Sequence, residues 1–176
     1  MNKGIKIATG DVVGILNADD VFAADDILSS VARAFALNDT DIIYGNLEYV
    51  NLQQRIIRKW HSGEYKNGMF NWGWMPPHPT FYCKRAFFES LGPYNQQYGT
   101  AADFELMLRF MHLNKLTACY LNKTMVKMDL GGVSNESYLS RFKAWKYDYQ
   151  AMDNNGVVSP FLGVIFKPLR KILQYL

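Results

Sequence analysis

Two adjacent carboxylates, Asp19 and Asp20, follow closely on an apolar run that extends from Val12 to Leu16. An apolar run of this length predicts a strand buried on both faces, as in a parallel sheet. In open α/β sheets ligands bind at the carboxyl ends of such strands, so both carboxylates are expected to face a crevice. Oxygen ligands at that point suit a hard divalent cation that also holds phosphates. A strand-to-helix turn with aspartate as the helix cap is the alternative.

A third carboxylate, Asp103, stands at the start of a strongly amphipathic segment. Apolar residues recur after it at helical spacing, at Phe104, Met107 and Met111, which predicts a helix with one buried face. The dipole of that helix favours the ionised form of a carboxylate in its first turn. Thr100 and Asp103 also have nearly the spacing of a capping box, so a purely structural role for this carboxylate is the alternative.

Residues 61–80 are rich in Trp, Gly and Pro, a composition that excludes a regular helix or a central strand. The segment is predicted to be an ordered loop with exposed rings, which is typical of a binding loop. An exposed indole such as Trp74 stacks well on the CH face of a sugar, and His78 can donate a hydrogen bond to a hydroxyl or a phosphate. Tryptophans packed beneath the loop, with a histidine bonded internally, are the alternative.

The composition is that of an ordinary folded domain, with 176 residues of which 49% are hydrophobic and 20% are charged. The net charge of +3 is too small to predict nucleic-acid binding. Cys83 and Cys119 form no metal-ligand pattern, which favours reduced thiols in the cytoplasm. Residues 1–10 lack the apolar core of a signal peptide, and no run approaches the roughly 18 apolar residues of a membrane span.

The remaining patterns predict helices alternating with short strands, and therefore an α/β fold without internal repeats. Helical segments are predicted over 2–10 (as a short helix or turn), 25–37, 85–91, from 103 onward and over 137–154. Strands are predicted over 12–16, 41–45, 81–83, 116–121 and 124–128, together with a hairpin of 47–51 and 55–60. The final segment, 157–176, is apolar with basic residues near its end.

Six motifs follow one another in a fixed order along the chain. They are Asn2-Lys3-Gly4-Ile5, Ala8-Thr9-Gly10-Asp11, Asn17-Ala18-Asp19-Asp20, His78-Pro79-Thr80-Phe81, the segment 101–109, and Gly131-Gly132-Val133-Ser134. In order and spacing they resemble the family-2 glycosyltransferases, inverting nucleotide-sugar enzymes with a GT-A fold, and most of all the bacterial members that build surface polysaccharides. The resemblance covers residues 1–140 and implies a partial GT-A, Rossmann-like mixed sheet flanked by helices, with 141–176 as a helical tail.

The resemblance also implies a role for each motif residue. Asp20 would hold a divalent metal, Mg²⁺ or Mn²⁺, which neutralises the charge on the leaving diphosphate. Asp103 would be the general base that deprotonates the attacking hydroxyl. The nucleotide-sugar donor would lie against Asn17, Asp19, Gly131 and Gly132. A saccharide or lipid-linked acceptor would lie against Trp74 and His78.

The C-terminal part of the sequence suits a membrane surface. Basic and aromatic residues surround Trp145, and Lys167–Lys171 adds further positive charge, a pattern of peripheral helices that lie on lipid. A lipid-linked acceptor would be presented there, so the expected location is the cytoplasm, at the inner face of the membrane. A terminal helix docked on the core is the alternative.

The chain also departs from the family it resembles. Members usually begin with a nucleotide-binding βαβ half, whereas this sequence starts inside a family motif. We therefore expect that half to be missing, the strand before Asp19 to lack neighbours on one side, and the isolated chain to be poorly stable and weakly active or inactive. A non-catalytic remnant that binds carbohydrate or a partner through its aromatic loop is the second hypothesis. A metal-dependent phosphotransferase is a third, but the sequence has no phosphate-loop motif for it.

Overall fold

A computed structural model describes residues 1–129, 138–172 and 174–175. The helices are α1 Asn2–Ile7, α2 Ile27–Leu37, α3 Arg85–Ser90, α4 Ala102–Met107, α5 Tyr138–Asn154 and α6 Pro160–Ile172. The strands are β1 Val12–Gly14, β2 Asp20–Phe22, β3 Ile42–Val50, β4 Ile56–Trp60, β5 Tyr82–Lys84 and β6 Ala118–Asp129. Short 3₁₀ turns cover Met69–Trp72, His78–Thr80 and Gln96–Ala101, and a π-helical turn over Leu108–Leu113 extends α4.

The sheet is mixed and is built around β3. One edge of β3 pairs in parallel with β6, and the other pairs antiparallel with β5 near its start and with β4 near its end. The strands therefore lie in the order β1-β5-β3-β6-β2, with β4 beside β3. β3 is central because its apolar, β-branched sequence is buried on both faces, which is typical of an inner strand.

Two layers of side chains cover the sheet. Ile42 and Tyr44 point to one face, where they join the cluster built from α4, the π-helical turn, α5 and α6. Ile43 points to the opposite face, because side chains alternate along a strand, and it packs there against α2. The domain boundary predicted at residue 140 stays a prediction, although α5 and α6 contribute Met152 and Val164 to the first cluster.

Most of the predicted elements are confirmed. The helix after residue 26 is α2, the hairpin is β3 with β4, and the helix that follows Asp103 is α4 with its π-helical extension. The two strands predicted over 116–121 and 124–128 are a single strand, β6, because it pairs along nearly the whole length of β3. Within the described part of the chain, no helix is long and apolar enough to cross a membrane.

The prediction for the strand before the two aspartates is wrong in two respects. β1 has three residues and pairs antiparallel with β5 at the edge of the sheet, not in parallel inside it. Of the apolar run, Val13 is buried but Leu16 is exposed. Asp20 is the first residue of β2, which pairs with β6, so Asp19 lies in a turn that leads to a strand and not to a helix.

Candidate active site

Asp20 is a buried carboxylate that is half satisfied. It is 5% exposed, Asn17 donates a hydrogen bond from Nδ2 to its Oδ2 at 2.8 Å, and its backbone N–H donates to the Asn17 carbonyl at 3.1 Å. Its Oδ1 is buried without a hydrogen-bond partner. Burial raises the pKa of Asp20, the neighbouring charge of Asp19 raises it further, and the Asn17 bond opposes both. Asp20 is therefore buried at the start of β2 with one carboxylate oxygen available to a cation or a hydrogen-bond donor.

A divalent metal fits this oxygen. Among the described residues, no group of three or more His, Cys, Asp or Glu side chains is placed to hold a metal ion. Mg²⁺ and similar cations are commonly held by one or two carboxylates, with waters and substrate phosphates as the remaining ligands. Asp20 can supply one such ligand through Oδ1, which is the kind of site that forms only together with a phosphorylated substrate.

His78 lies near Asp20 and is held by the turn that carries it. The half-buried ring shares a 3.0 Å hydrogen bond between Nε2 and the Tyr94 hydroxyl. Thr80, fully buried, closes the 78–80 turn by donating from Oγ1 to the Pro77 carbonyl at 2.9 Å. Burial lowers the pKa of His78, while the negative charges of Asp103 and Asp20 partly oppose that shift. The charges of both carboxylates therefore act on the His78 imidazole.

Asp103 is half-buried in the first turn of α4. Its Oδ1 accepts a hydrogen bond of 2.7 Å from the Phe104 N–H, which leaves the other oxygen for a further partner. Burial raises the pKa of Tyr94, and the negative charge of Asp103 adds to that effect. Tyr94 is thus bonded to His78 and is close enough to the carboxylate at the start of α4 to respond to its charge.

An internal ion pair sets the position of that carboxylate. Glu105 is 3% exposed and binds the Arg109 guanidinium with both oxygens, at 2.8 Å and 3.0 Å. Arg109 also donates to the carbonyl oxygens of Gly92 at 2.8 Å and Pro93 at 2.9 Å. Since Tyr94 follows directly, Arg109 ties the turn before Tyr94 to the helix that begins with Asp103. Glu105 is therefore a buried, paired charge that supports the start of α4.

The structure corrects the prediction for Trp74. This residue is 3% exposed, its Nε1 donates to the Ser62 carbonyl at 2.9 Å, and its ring stacks on Tyr65 at 5.2 Å. An indole in that position has no open face for a sugar, so Trp74 is a core residue in this conformation. The exposed ring of the loop is Trp72, which is 54% exposed and packs edge-on against Phe166. Sequence spacing could not separate these rings, because both lie in the same irregular segment.

Of the other predicted donor-binding residues, Asn17 is half-buried beside Asp20 and Asp19 is exposed. Gly131 and Gly132 lie outside the described residues. The residue that sequence reasoning missed is Tyr94, which Asn2 fixes from α1 by donating to its carbonyl at 2.8 Å and accepting from its N–H at 3.1 Å. The flanking Gly92-Pro93 turn gave no signal of a functional position, because the contact partners are 92 residues apart.

Comparison with known proteins gives matches to glycosyltransferases. The family model described as "Glycosyl transferase family 2" matches residues 1–93. Proteins named "PGL/p-HBAD biosynthesis glycosyltransferase" from Mycobacterium bovis (strain BCG / Pasteur 1173P2) and Mycobacterium tuberculosis (strain ATCC 25177 / H37Ra) are 26% identical over 137 residues. That match covers 77% of this chain and 52% of each relative, so the chain spans about half the length of the curated relatives it matches.

Solved structures share the fold. S. aureus TarS superposes with a TM-score of 0.61 at 15% identity, over 87% of this chain and 26% of TarS. A structure of TarS 1-349 in complex with UDP gives a TM-score of 0.60 at 12% identity, over 94% of this chain and 46% of that one. These likenesses confirm the predicted fold class, an α/β domain with a mixed sheet flanked by helices, as in GT-A glycosyltransferase structures.

Proposed function

Because the chain belongs to glycosyl transferase family 2, we propose that Asp20, His78 and Asp103 are the catalytic part of a sugar-transfer site. The donor is a nucleotide diphosphate sugar and the acceptor is a saccharide or a lipid-linked saccharide. The reaction takes place in the cytoplasm, at the inner face of the membrane when the acceptor is lipid-linked. The observation that carries this proposal is the buried Asp20 carboxylate with an unpartnered Oδ1, since a structural aspartate in a turn would have both oxygens satisfied or solvated.

The donor half of the site is organised around Asp20. A bound Mg²⁺ or Mn²⁺ supplies positive charge that offsets the negative charge developing on the leaving diphosphate. Asp20 would hold that cation through Oδ1, while Asn17 keeps the carboxylate oriented through its bond to Oδ2. Asp19, exposed next to it, lies on the side of the ribose or the sugar.

The acceptor half is organised around Asp103. Its carboxylate takes the proton from the acceptor hydroxyl while that oxygen attacks the anomeric carbon. The bond from the anomeric carbon to the new oxygen forms as the bond to the diphosphate oxygen breaks on the opposite face, so the configuration inverts. His78 binds an acceptor hydroxyl or a phosphate oxygen, and Tyr94 orients its ring through the shared 3.0 Å hydrogen bond.

Calorimetry on the 176-residue chain tests the proposal. Titration of UDP, GDP or dTDP in the presence of Mn²⁺ is expected to give saturable binding for at least one nucleotide, and chelation of the metal is expected to abolish it. Asp20→Asn should remove the binding, whereas Asp153→Asn, which changes an exposed carboxylate of α5, should leave it intact. No metal-dependent binding to any of the nucleotides would contradict the proposal, and binding of oligosaccharides alone would favour a carbohydrate-binding remnant.

A further inference from the structure

Helix α6 presents an apolar face to solvent. Five large apolar side chains are 43% exposed or more, namely Phe161, Leu162, Ile165, Leu169 and Ile172. At about 100° of rotation per residue, these positions fall within an arc of roughly 100° on the helix surface. We call this set the apolar face of α6. A contiguous exposed face of this kind on a folded chain marks an interaction surface rather than scattered exposure.

The inward side of α6 explains why the apolar face points outward. Gly163 is buried so close to Met152 that a Cβ at that position would lie 2.5 Å from Sδ. A Cβ on Gly73, whose φ is +68°, would lie 2.5 Å from the backbone nitrogen of Lys167. Lys167 itself turns inward, with Nζ 2.5 Å from Asp148 Oδ1 and 3.8 Å from the centre of the Phe104 ring. Backbone contact and an ion pair thus hold the small and charged side against the protein.

Helix α5, which packs against α6, carries an exposed aromatic stripe. Phe142, Trp145 and Tyr149 are spaced as i, i+3 and i+7, which places them on one side of the helix, and they are 71%, 55% and 43% exposed. Trp145 lines a cleft of about 450 Å³ together with Pro168 and Lys171 of α6. The cleft therefore joins Trp145 of the aromatic stripe to α6, and the five side chains of the apolar face lie outside it.

Basic residues outnumber acidic ones around this surface. α6 carries the exposed Arg170 and Lys171 and no acidic residue, while Lys167 is paired with Asp148 of α5. On α5, Lys143 and Lys146 are exposed beside the aromatic stripe, and Asp153 is exposed near the end of the helix. Such a surface complements an anionic partner. A second copy of the chain, joined by two-fold symmetry, would bring the same basic residues together across the interface, which is unfavourable.

We propose that the apolar face of α6 and the aromatic stripe of α5 lie on an anionic lipid bilayer. No described helix can cross a membrane, so the two helices would rest in the interface, with apolar side chains among the acyl chains and lysines at the headgroups. Trp and Tyr favour that depth because each ring is apolar with one polar atom. This inference depends on the surface alone and does not require the proposed transfer reaction.

Vesicle flotation of the whole chain tests the proposal. We expect binding to phosphatidylcholine vesicles that contain phosphatidylglycerol, and a loss of at least about tenfold in affinity for Ile165→Ser combined with Leu169→Ser, since two aliphatic side chains lose their burial in lipid. Leu37→Ser is the control, because Leu37 is 77% exposed on α2, which covers the opposite face of the sheet. Circular dichroism should show that all variants keep the wild-type fold, since each change is at an exposed position.

Variants that remove a positive charge distinguish binding to anionic lipid from non-specific hydrophobic binding. Lys146→Gln or Arg170→Gln should each weaken binding to the anionic vesicles about fivefold, as expected for one basic residue near a charged membrane, and should leave binding to pure phosphatidylcholine unchanged. Three results would overturn the proposal. They are failure of the wild-type chain to float with anionic vesicles, equal loss of binding in Leu37→Ser, and a wild-type dimer in solution that the Ile165/Leu169 double variant dissociates.

Discussion

Asn17 donates a hydrogen bond from Nδ2 to Oδ2 of Asp20 at 2.8 Å, while the other oxygen of the same carboxylate is buried with no partner. The two residues face each other because the chain reverses between β1 and β2, with the Asp20 N–H bonded to the Asn17 carbonyl. An aspartate that served only to cap this turn would not need burial to 5% exposure. The arrangement costs stability in the free protein, and the cation that we propose at this site would offset that cost.

Asp20→Asn should raise the melting temperature of the metal-free protein at neutral pH. Burial raises the folded pKa of Asp20, so between the unfolded and folded pKa values the native state binds more protons, and stability falls as pH rises through that window. The difference between wild type and variant should therefore shrink as pH is lowered toward the unfolded value. Scanning calorimetry over a pH series measures it. A variant that melts lower than wild type at neutral pH would show that the ionised carboxylate is already compensated.

His78→Gln should make the protein less sensitive to mild acid. Burial lowers the folded pKa of His78, so the unfolded chain binds more protons between that pKa and 6.5, and wild-type stability is lost as pH falls through this range. Glutamine can keep a hydrogen bond to the Tyr94 hydroxyl without titrating. Urea titrations from pH 7.5 to pH 5 should show a smaller loss of stability for the variant. Burial also lowers the pKa of His112, but this residue is present in both proteins, so its effect on stability cancels in the comparison. Equal pH profiles for the two proteins would refute the prediction.

Asp103→Asn should reduce sugar transfer by about 10²–10⁴-fold, the usual contribution of a general base, and leave metal-dependent nucleotide binding unchanged. The amide has the same shape, and its oxygen can still accept the 2.7 Å bond from the Phe104 N–H, so the fold should persist. Radiolabelled transfer from a panel of nucleotide sugars, run beside Asp153→Asn, measures the effect. Undiminished transfer would remove Asp103 from the mechanism.

Arg109→Met should destabilise the domain by about 3–5 kcal/mol, because it leaves the buried Glu105 carboxylate without its partner. It also frees the carbonyl oxygens of Gly92 and Pro93. The matched control is Arg85→Met, which breaks another i, i+4 pair, with Glu89, whose side chain is 63% exposed. That change should cost less than about 1 kcal/mol. Urea denaturation of both variants gives the comparison, and equal costs would show that the internal pair is not the anchor of α4.

Local patterns were enough to predict much of the fold. The amphipathic spacing of α2, the hairpin of β3 and β4 and the helix after Asp103 depend on neighbouring residues, and these elements form where the sequence indicates. The motif order was likewise enough to identify the family, which residues 1–93 match. The spacing of apolar residues and the order of motifs can both be read from the sequence without knowing which distant residues are in contact.

The tertiary structure alone decided how those elements are used. Whether Asp20 is buried depends on β2 pairing with β6, more than a hundred residues away. Trp74 is a core residue because Tyr65 and the Ser62 carbonyl occupy its face and its N–H. The outward direction of the α6 apolar face depends on Gly73 meeting the backbone of Lys167. Each outcome depends on which surfaces meet across the fold. Hydrophobic periodicity shows which face of a helix or strand is apolar, but it does not show what that face packs against.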